Sequence, residues 1–283
     1  MNPPITNQSK FIKGQILESL QFKSKVLDRS VAYSIYLPSD YEPSNRRYPV
    51  LYLLHGYGDN EIAWVQFGEI HNTVDNAIES GEIPPMIIVM PAADSTYYVN
   101  DYRQTVCYED MFIEELLPLI DFEYRTRAKK EFRAIAGFSM GGFGALMYAM
   151  RHYNSFGSCA VFNSAILTDD ELAAMDNVQY DHVFSELFGG KLRGQDRINE
   201  HWHKSSPIQL AQTLFHEKLK KVNWYIDCGD NDTYYKGNSG LHIILRERHI
   251  PHKYRVRDGY HNWSYCRNYI LEGLRFIGGC FHR

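Results

Sequence analysis

Short apolar segments alternate with longer amphipathic segments along most of the chain. Apolar segments of four or five residues, such as 50–54, are typical of strands buried on both faces of a sheet. Predicted strands, of which the last is more polar, lie at residues 50–54, 86–90, 132–136, 159–162, 224–228 and 252–256. Apolar positions at helical spacing predict helices at residues 69–80, 109–122, 140–152, 238–249 and 262–277.

Two further strands precede this series, at residues 15–22 and 25–37, and we expect them to pair antiparallel. The second is rich in β-forming side chains that alternate in polarity, and it ends before Pro38. The later alternation of strands and helices predicts a mostly parallel sheet with helices on both faces. We therefore expect residues 1–283 to form a single α/β domain.

Residues 164–221 interrupt the alternation of strands and helices. The segment is polar, helical in places, and contains no convincing strand pattern. We interpret it as a cap-like insertion over the carboxyl edge of the sheet, where open α/β sheets bind their ligands. The pattern is equally compatible with a solvated excursion that contacts no ligand.

The composition excludes several classes of partner. The net charge is −4 and the charged fraction is 23%, so no nucleic acid or anionic membrane is indicated as a partner. No apolar segment approaches the roughly 20 residues that a spanning helix needs. Residues 1–10 lack the apolar core of a signal peptide, so we expect a cytoplasmic protein or a mature form whose signal was removed. The oligomeric state stays open.

The segment Gly137-Phe-Ser-Met-Gly141 supplies a candidate nucleophile. It follows the predicted strand 132–136 and opens the predicted helix 140–152, which is the context of a nucleophile elbow. The glycines leave room for a strained turn between strand and helix. The N-terminus of the helix favours negative charge that develops next to Ser139. We therefore predict that Ser139 is a nucleophile.

A nucleophilic serine needs a general base, and the base needs a carboxylate that orients it. In this arrangement the histidine comes last in the chain, with the acid between it and the serine. His261 lies in a loop after the predicted strand 252–256, and we choose it on position alone. Asp230 and Asp232 both follow the predicted strand 224–228, and position does not choose between them.

An oxyanion hole needs two backbone amides. One is the amide of Met140, and the glycine-rich segment after the first buried strand presents the amide of Tyr57 as the second. This chemistry requires no metal and no organic cofactor. His201 and His203 resemble a pair of metal ligands, but no acidic or cysteine cluster accompanies them, so we reject a metal site.

Three segments carry a more specific pattern: Tyr48–Gly56, Pro118–Arg127 and Ala136–Gly142. Together they resemble the esterase D-like family, which includes feruloyl, acetyl xylan and tributyrin esterases and the antigen 85 mycolyltransferases. The resemblance extends from about residue 15 to residue 277. It implies an α/β-hydrolase fold and the hydrolysis of carboxylic esters by a serine nucleophile.

The resemblance implies a role for individual residues of this chain. The nucleophile, acid, base and two oxyanion amides would be Ser139, Asp232, His261, Tyr57 and Met140. Asp232 matches the family acid because it follows the pattern Gly-x-Asn, whereas Asp230 does not match. Tyr260 stands where the family has a glycine before the histidine.

The resemblance also suggests a substrate. Tyr97, Tyr98 and Trp263 resemble the aromatic residues that flank the acyl pocket in feruloyl and carbohydrate esterases. We therefore expect a hydroxycinnamoyl ester linked to plant polysaccharide as the substrate. An acetyl xylan or short-chain, tributyrin-type esterase is the alternative, and acyl transfer to an alcohol also stays open. A chain that only binds carbohydrate or a partner, without turnover, is the alternative of another class.

Overall fold

The computed structural model describes residues 13–281 of the chain. The expectation about a signal peptide concerns residues that lie outside this range. Within it, eight strands form one sheet: β1 (Gln15–Ser24), β2 (Arg29–Leu37), β3 (Val50–Leu54), β4 (Ile87–Pro91), β5 (Arg133–Phe138), β6 (Ser158–Phe162), β7 (Asn223–Gly229) and β8 (His252–Arg257).

The sheet has the strand order β1-β2-β4-β3-β5-β6-β7-β8. Strand β2 runs antiparallel to β1 and β4, and every pair from β4 to β8 is parallel. The mostly parallel sheet is therefore confirmed. The predicted strand 25–37 starts four residues too early, because residues 25–28 form the turn that reverses the chain between β1 and β2.

Helices cover both faces of the sheet. They are α1 (Ala63–Gln66), α2 (Ile70–Glu79), α3 (Tyr108–Met111), α4 (Leu117–Glu123), α5 (Met140–Arg151), α6 (Asp169–Ala174), α7 (Asn177–Val183), α8 (Ser185–Phe188), α9 (Glu200–Ser205), α10 (Pro207–Thr213), α11 (His216–Leu219), α12 (Tyr235–Glu247) and α13 (Trp263–Cys280). A π-helical turn, Phe112–Leu116, joins α3 to α4, where Pro118 cannot donate the backbone hydrogen bond of a regular helix.

Strand β3 shows why both faces need a cover. Tyr52 and Leu54 belong to one apolar core together with side chains of α5, whereas Leu51 and Leu53 belong to a second core with side chains of α2 and α13. Successive side chains of a strand point to opposite faces, so a strand that is apolar at every position must be buried twice. None of the helices in residues 13–281 is long and apolar enough to cross a membrane.

Residues 164–221 contain helices α6 to α11 and no strand. Buried Arg197 holds the first part of the segment together, because its guanidinium donates to the carbonyls of Leu172 and Met175 and to the amide oxygen of Asn177. The later part packs against the rest of the domain instead, because α10 contacts α5 and α12 on a face of the sheet. The segment therefore combines a compact outer unit with a helix that belongs to the α/β layers.

Candidate active site

Ser139 occupies a sharp turn between β5 and α5. Its backbone φ is +57° with a ψ of −119°, a conformation that a residue with a side chain adopts only under constraint. The amide of Ser139 donates to the Phe162 carbonyl at 3.1 Å, and its carbonyl accepts from the Ala165 amide at 2.9 Å. These bonds to the end of β6 and to the loop after it hold the turn in place.

Gly137 and Gly141 make this turn sterically possible. A methyl group on Gly137 would lie 2.2 Å from the carbonyl oxygen of Gly141, which is far closer than any real contact. A methyl group on Gly141 would lie 2.3 Å from the carbonyl oxygen of Leu54 and 2.7 Å from that of His55. The start of α5 therefore touches the end of β3, and this contact requires a glycine.

Three predicted side chains form one chain of hydrogen bonds. His261 Nδ1 lies 2.7 Å from Asp232 Oδ2, and His261 Nε2 lies 2.7 Å from Ser139 Oγ. Because a carboxylate only accepts, the Nδ1 atom carries the proton, and Nε2 of the neutral ring accepts from the serine hydroxyl. This geometry lets the imidazole take the proton of Ser139 when the hydroxyl attacks an electrophile.

The two aspartates of the loop after β7 have different partners. Asp232 is buried, and its second oxygen accepts from the Tyr234 amide at 2.7 Å. Asp230 instead accepts from the Gly259 amide at 3.0 Å and does not contact the imidazole. Asp230 therefore ties the loop after β7 to the loop that carries His261, while Asp232 orients the ring.

The two predicted oxyanion amides lie on neighbouring backbone segments. Tyr57 follows Gly56 in the loop after β3, and Met140 is the first residue of α5, whose start contacts that loop through Gly141. Neither amide donates to a protein acceptor among the described residues. Two free amides beside Ser139 are the arrangement that an oxyanion requires.

Buried His55 shapes the loop that carries Tyr57. Its Nδ1 donates to the Gly56 carbonyl at 2.8 Å, and its Nε2 accepts from the Ala93 amide at 2.9 Å. This assignment of the ring proton fits a neutral imidazole, and burial lowers the pKa of His55 to about 4. The sequence pattern had offered His55 only as part of a glycine-rich segment.

The expectation that Tyr98 contacts the substrate is wrong. The side chain is fully buried, and its hydroxyl donates to the His55 carbonyl at 3.1 Å. The Tyr98 carbonyl in turn accepts from the Tyr148 hydroxyl at 2.6 Å. Tyr97 and Tyr98 both have a positive φ, and this irregular backbone directs neighbouring side chains to different places, Tyr97 to a cavity and Tyr98 to the core. Tyr98 therefore supports, from the core, the loop that carries Tyr57.

A cavity of about 780 Å³ opens above Ser139 and His261. Its lining residues are Gly56, Tyr57, Asp59, Tyr97, Phe138, Ser139, Leu167, Glu171, Met175, Gln179, Val183, Phe184, Thr233, Tyr234, His261, Asn262 and Trp263. The residues from Leu167 to Phe184 come from the segment that interrupts the alternation of strands and helices. The cavity lies at the carboxyl edge of the sheet, as the ends of β3, β5 and β7 lead into its walls.

The cavity has two walls that continue the two apolar cores. The first, called here the apolar wall, consists of Tyr97, Leu167, Met175, Val183 and Phe184, which belong to or pack against the core around α5. The ring of Tyr97 lies 5.1 Å from that of Phe184, and burial raises the pKa of the Tyr97 hydroxyl well above its usual range. The hydroxyl therefore stays protonated at every physiological pH.

The second wall, called here the indole wall, consists of Asp59, Phe138 and Trp263. The rings of Phe138 and Trp263 are 5.1 Å apart and belong to or pack against the core around α2 and α13. The sequence pattern singled out Tyr97 and Trp263 but missed the rest of both walls. Asp59 could have been predicted, because it lies two positions after Tyr57 in the same segment. No local sequence pattern indicates that residues of α6 and α7 line a cavity.

The structure separates the two histidines considered as metal ligands. His201 Nε2 lies 3.0 Å from the Asn100 carbonyl and is occupied by that contact, while His203 is exposed. No group of three or more His, Cys, Asp or Glu side chains in residues 13–281 is arranged to hold a metal ion.

Comparison with known proteins assigns the chain to a family. The family model named Esterase matches residues 24–277. The chain belongs to the esterase family. A solved structure of a ferulic acid esterase superposes on this chain with a TM-score of 0.83 and 30% identity, covering 95% of this chain and 99% of that one. The predicted α/β-hydrolase fold is therefore confirmed.

Two curated relatives are longer than this chain. Esterase Rv1288 of Mycobacterium tuberculosis is 39% identical over 260 residues, which cover 85% of this chain and 54% of that protein. An endo-1,4-beta-xylanase/feruloyl esterase of Xylanibacter ruminicola is 31% identical over 175 residues, covering 58% of this chain and 24% of that protein. The chain thus spans about half the length of the first relative and about a quarter of the second.

Proposed function

We propose that this chain is a serine carboxylic ester hydrolase that works through an acyl-enzyme. The observation that carries this proposal is the uninterrupted path of hydrogen bonds from Asp232 through His261 to Ser139 at the floor of a cavity. A general base on the serine and a fixed carboxylate behind that base are the parts that acyl transfer needs. No metal and no organic cofactor takes part.

The reaction has two halves. Ser139 Oγ attacks the ester carbonyl while His261 Nε2 takes its proton, and the amides of Tyr57 and Met140 bind the resulting oxyanion. The tetrahedral intermediate collapses, and His261 returns the proton to the leaving alcohol, so an acyl-serine remains. A water molecule then attacks the acyl group, with His261 first taking and later returning a proton, and releases the free acid. Asp232 stays ionised throughout and orients the ring.

The acyl group that we propose is a hydroxycinnamoyl group, esterified to plant polysaccharide. A planar aromatic acyl chain matches the apolar wall, where Tyr97 and Phe184 present aromatic surface beside aliphatic side chains. Glu171 and Gln179 lie in the same part of the cavity and offer hydrogen-bond acceptors for a phenolic hydroxyl group. The names of the xylanase/feruloyl esterase and the ferulic acid esterase add support.

The role that we propose for residues 164–221 is that of a cap whose outer helices form the acyl pocket. Six of its residues line the cavity: Leu167, Glu171, Met175, Gln179, Val183 and Phe184. The helix α6 is fixed by a capping box in which Thr168 and Glu171 exchange hydrogen bonds. Because the segment is internally bonded, it presents these side chains as a preformed surface.

Hydrolysis of methyl ferulate, acetylated xylan and a short triglyceride tests the proposal. We expect kcat/KM to be highest for methyl ferulate, because of these three only its acyl group is aromatic and large enough to cover the apolar wall. We expect Ser139→Ala to lose about 10⁶-fold in kcat and to keep the circular dichroism of the wild type. The wild type should also react with a fluorophosphonate probe, which the variant should not.

The outcomes separate the alternatives. A preference for short acyl chains would reject the hydroxycinnamoyl assignment and leave an acetyl or short-chain esterase. Turnover by Ser139→Ala at the wild-type rate would reject the serine mechanism. A wild type that neither turns over esters nor reacts with the probe would be a binding module.

A further inference from the structure

Asp59 brings a carboxylate close to the nucleophile. Its amide donates to the Gly56 carbonyl at 3.3 Å, so residues 56–59 form a tight turn that contains Tyr57. A methyl group on Gly56 would lie 3.2 Å from Asp59 Oδ2 and 3.6 Å from Ser139 Cβ. The carboxylate and the nucleophile therefore flank the same glycine, and both line the cavity.

No Lys, Arg or His side chain in residues 13–281 forms a salt bridge with this carboxylate. The donors that reach its oxygens are neutral ones, the Gly56 backbone and the Trp263 side chain. Burial raises the pKa of Asp59, while the Gly56 backbone and the Trp263 side chain lower it. A carboxylate has about four acceptor positions, so these two donors leave room for hydroxyl groups of a ligand, which would replace the solvation that half-buried Asp59 loses.

Trp263 provides a rigid aromatic surface beside Asp59. Its ring lies 4.9 Å from that of Trp64 at 90°, and 6.0 Å from that of Phe67, which is 46% exposed. A methyl group on Gly68 would lie 3.2 Å from the Trp263 ring, so the indole is also packed against backbone. The ring is held by its neighbours and keeps only its cavity side available.

The two walls differ in the chemistry that they match. The apolar wall has aromatic and aliphatic carbon, which suits an acyl chain, whereas the indole wall pairs a carboxylate with an aromatic face. An aromatic face packs against the C–H groups of a sugar ring, and a carboxylate accepts hydrogen bonds from two adjacent hydroxyl groups. His261 stands beside the indole wall, with its ring 5.0 Å from that of Phe138. An alcohol bound there can receive the proton of the imidazole.

We propose that Asp59 and Trp263 form the subsite for the alcohol half of the ester, with Asp59 accepting hydrogen bonds from the hydroxyl groups of a sugar. The proposal rests on the proposed ester hydrolysis. It extends that function from the acyl group to the leaving group, and it makes Asp59 a specificity residue that takes no part in proton transfer.

The test compares two esters of one acid. The kcat/KM is measured for the feruloyl ester of methyl arabinoside and for methyl ferulate, with the wild type, Asp59→Asn and Asp59→Ala. We expect both variants to lose about tenfold or more on the sugar ester, as for a hydrogen bond to a charged group, and less than about threefold on methyl ferulate. Glu61→Gln is the matched control, since it removes a charge from the same loop outside the cavity lining.

The outcomes distinguish the subsite from the reaction itself. Equal losses on both esters, or a wild type that does not prefer the sugar ester, would overturn the subsite. Should the wild type prefer acetyl esters, the hydroxycinnamoyl assignment fails, and the same variants are compared on an acetylated sugar and ethyl acetate. A selective loss on the acetylated sugar would then support the subsite, and an equal loss would reject it.

Discussion

The loop after β7 places two aspartates two positions apart in very different surroundings. Asp232 is buried against the imidazole of His261, whereas Asp230 bonds the backbone of Gly259. Residue type therefore does not assign the acid, and hydrogen-bond partners do. The identity of Asp232 came from the resemblance to a family, because position along the chain left both aspartates open.

Substitution of these two aspartates by asparagine tests the assignment. Asp232→Asn should lower kcat by about 10⁴-fold, because an amide can favour the wrong tautomer of the imidazole. Asp230→Asn keeps an oxygen that accepts from the Gly259 amide, so we expect a change below about threefold in kcat. Both are measured on an aryl ester at one pH. Should Asp230→Asn prove the more damaging variant, the acid would have to be reassigned.

At the scale of the elements, a buried carboxylate beneath the active site joins β7, β8 and α13. Asp227 accepts from the hydroxyl of Tyr225 at 2.7 Å, from the hydroxyl of Tyr265, and from Arg257 Nε at 2.9 Å. Burial and the neighbouring carboxylate raise the pKa of both tyrosines, so both hydroxyls stay protonated and donate. The ring of Tyr265 also packs against Gly259, just before His261. The cluster therefore anchors the loop that carries His261.

Removal of the Asp227 charge should weaken this anchor. We expect Asp227→Asn to lower the free energy of unfolding by about 3 kcal/mol, because Arg257 is then partly buried without its counter-ion. Tyr225→Phe removes one hydrogen bond and should cost about 1 kcal/mol. Exposed Asp258→Asn, one residue after β8, is the control, expected within about 0.5 kcal/mol. Urea unfolding measures all three, and similar values for Asp227→Asn and Asp258→Asn would contradict the anchor.

For the whole molecule, the free energy of unfolding depends on pH through His55. The folded pKa of about 4 lies below the unfolded value of 6.5, so the unfolded chain binds the proton first as the pH falls. The stabilisation from neutral His55 is complete above pH 6.5 and is lost as the pH falls towards 4. Its loss between pH 7.5 and pH 5 should amount to about 2 kcal/mol.

Comparison with His55→Gln isolates this contribution from the other titrating groups. We expect the wild type to be the more stable protein at pH 7.5, and its advantage to shrink by about 2 kcal/mol at pH 5, since glutamine does not titrate. Urea unfolding at the two pH values measures the difference. An advantage that is the same at both values would show that His55 does not remain neutral in the folded protein.

The local pattern predicted most elements of the fold. A buried parallel strand has to be apolar at every position, and a nucleophile elbow has to have glycines two residues from the serine. Both features can therefore be recognised from a short stretch of sequence. The segment 164–221 is the contrast, because only tertiary packing divides it between α10, on the sheet, and the helices at the cavity. Local patterns contain no information about which distant element a polar helix faces.

The sequence by itself determined the strand–turn–helix around Ser139 and a set of partners for it in a definite chain order. Only the tertiary structure decided which of these side chains are in contact. In the folded chain the Tyr98 side chain lies in the core and Asp59 lies beside Ser139. Asp230 and Asp232 have different hydrogen-bond partners. The physical reason is that covalent neighbours fix backbone conformation, whereas a cavity wall is assembled from side chains on segments that meet only when the sheet edge forms.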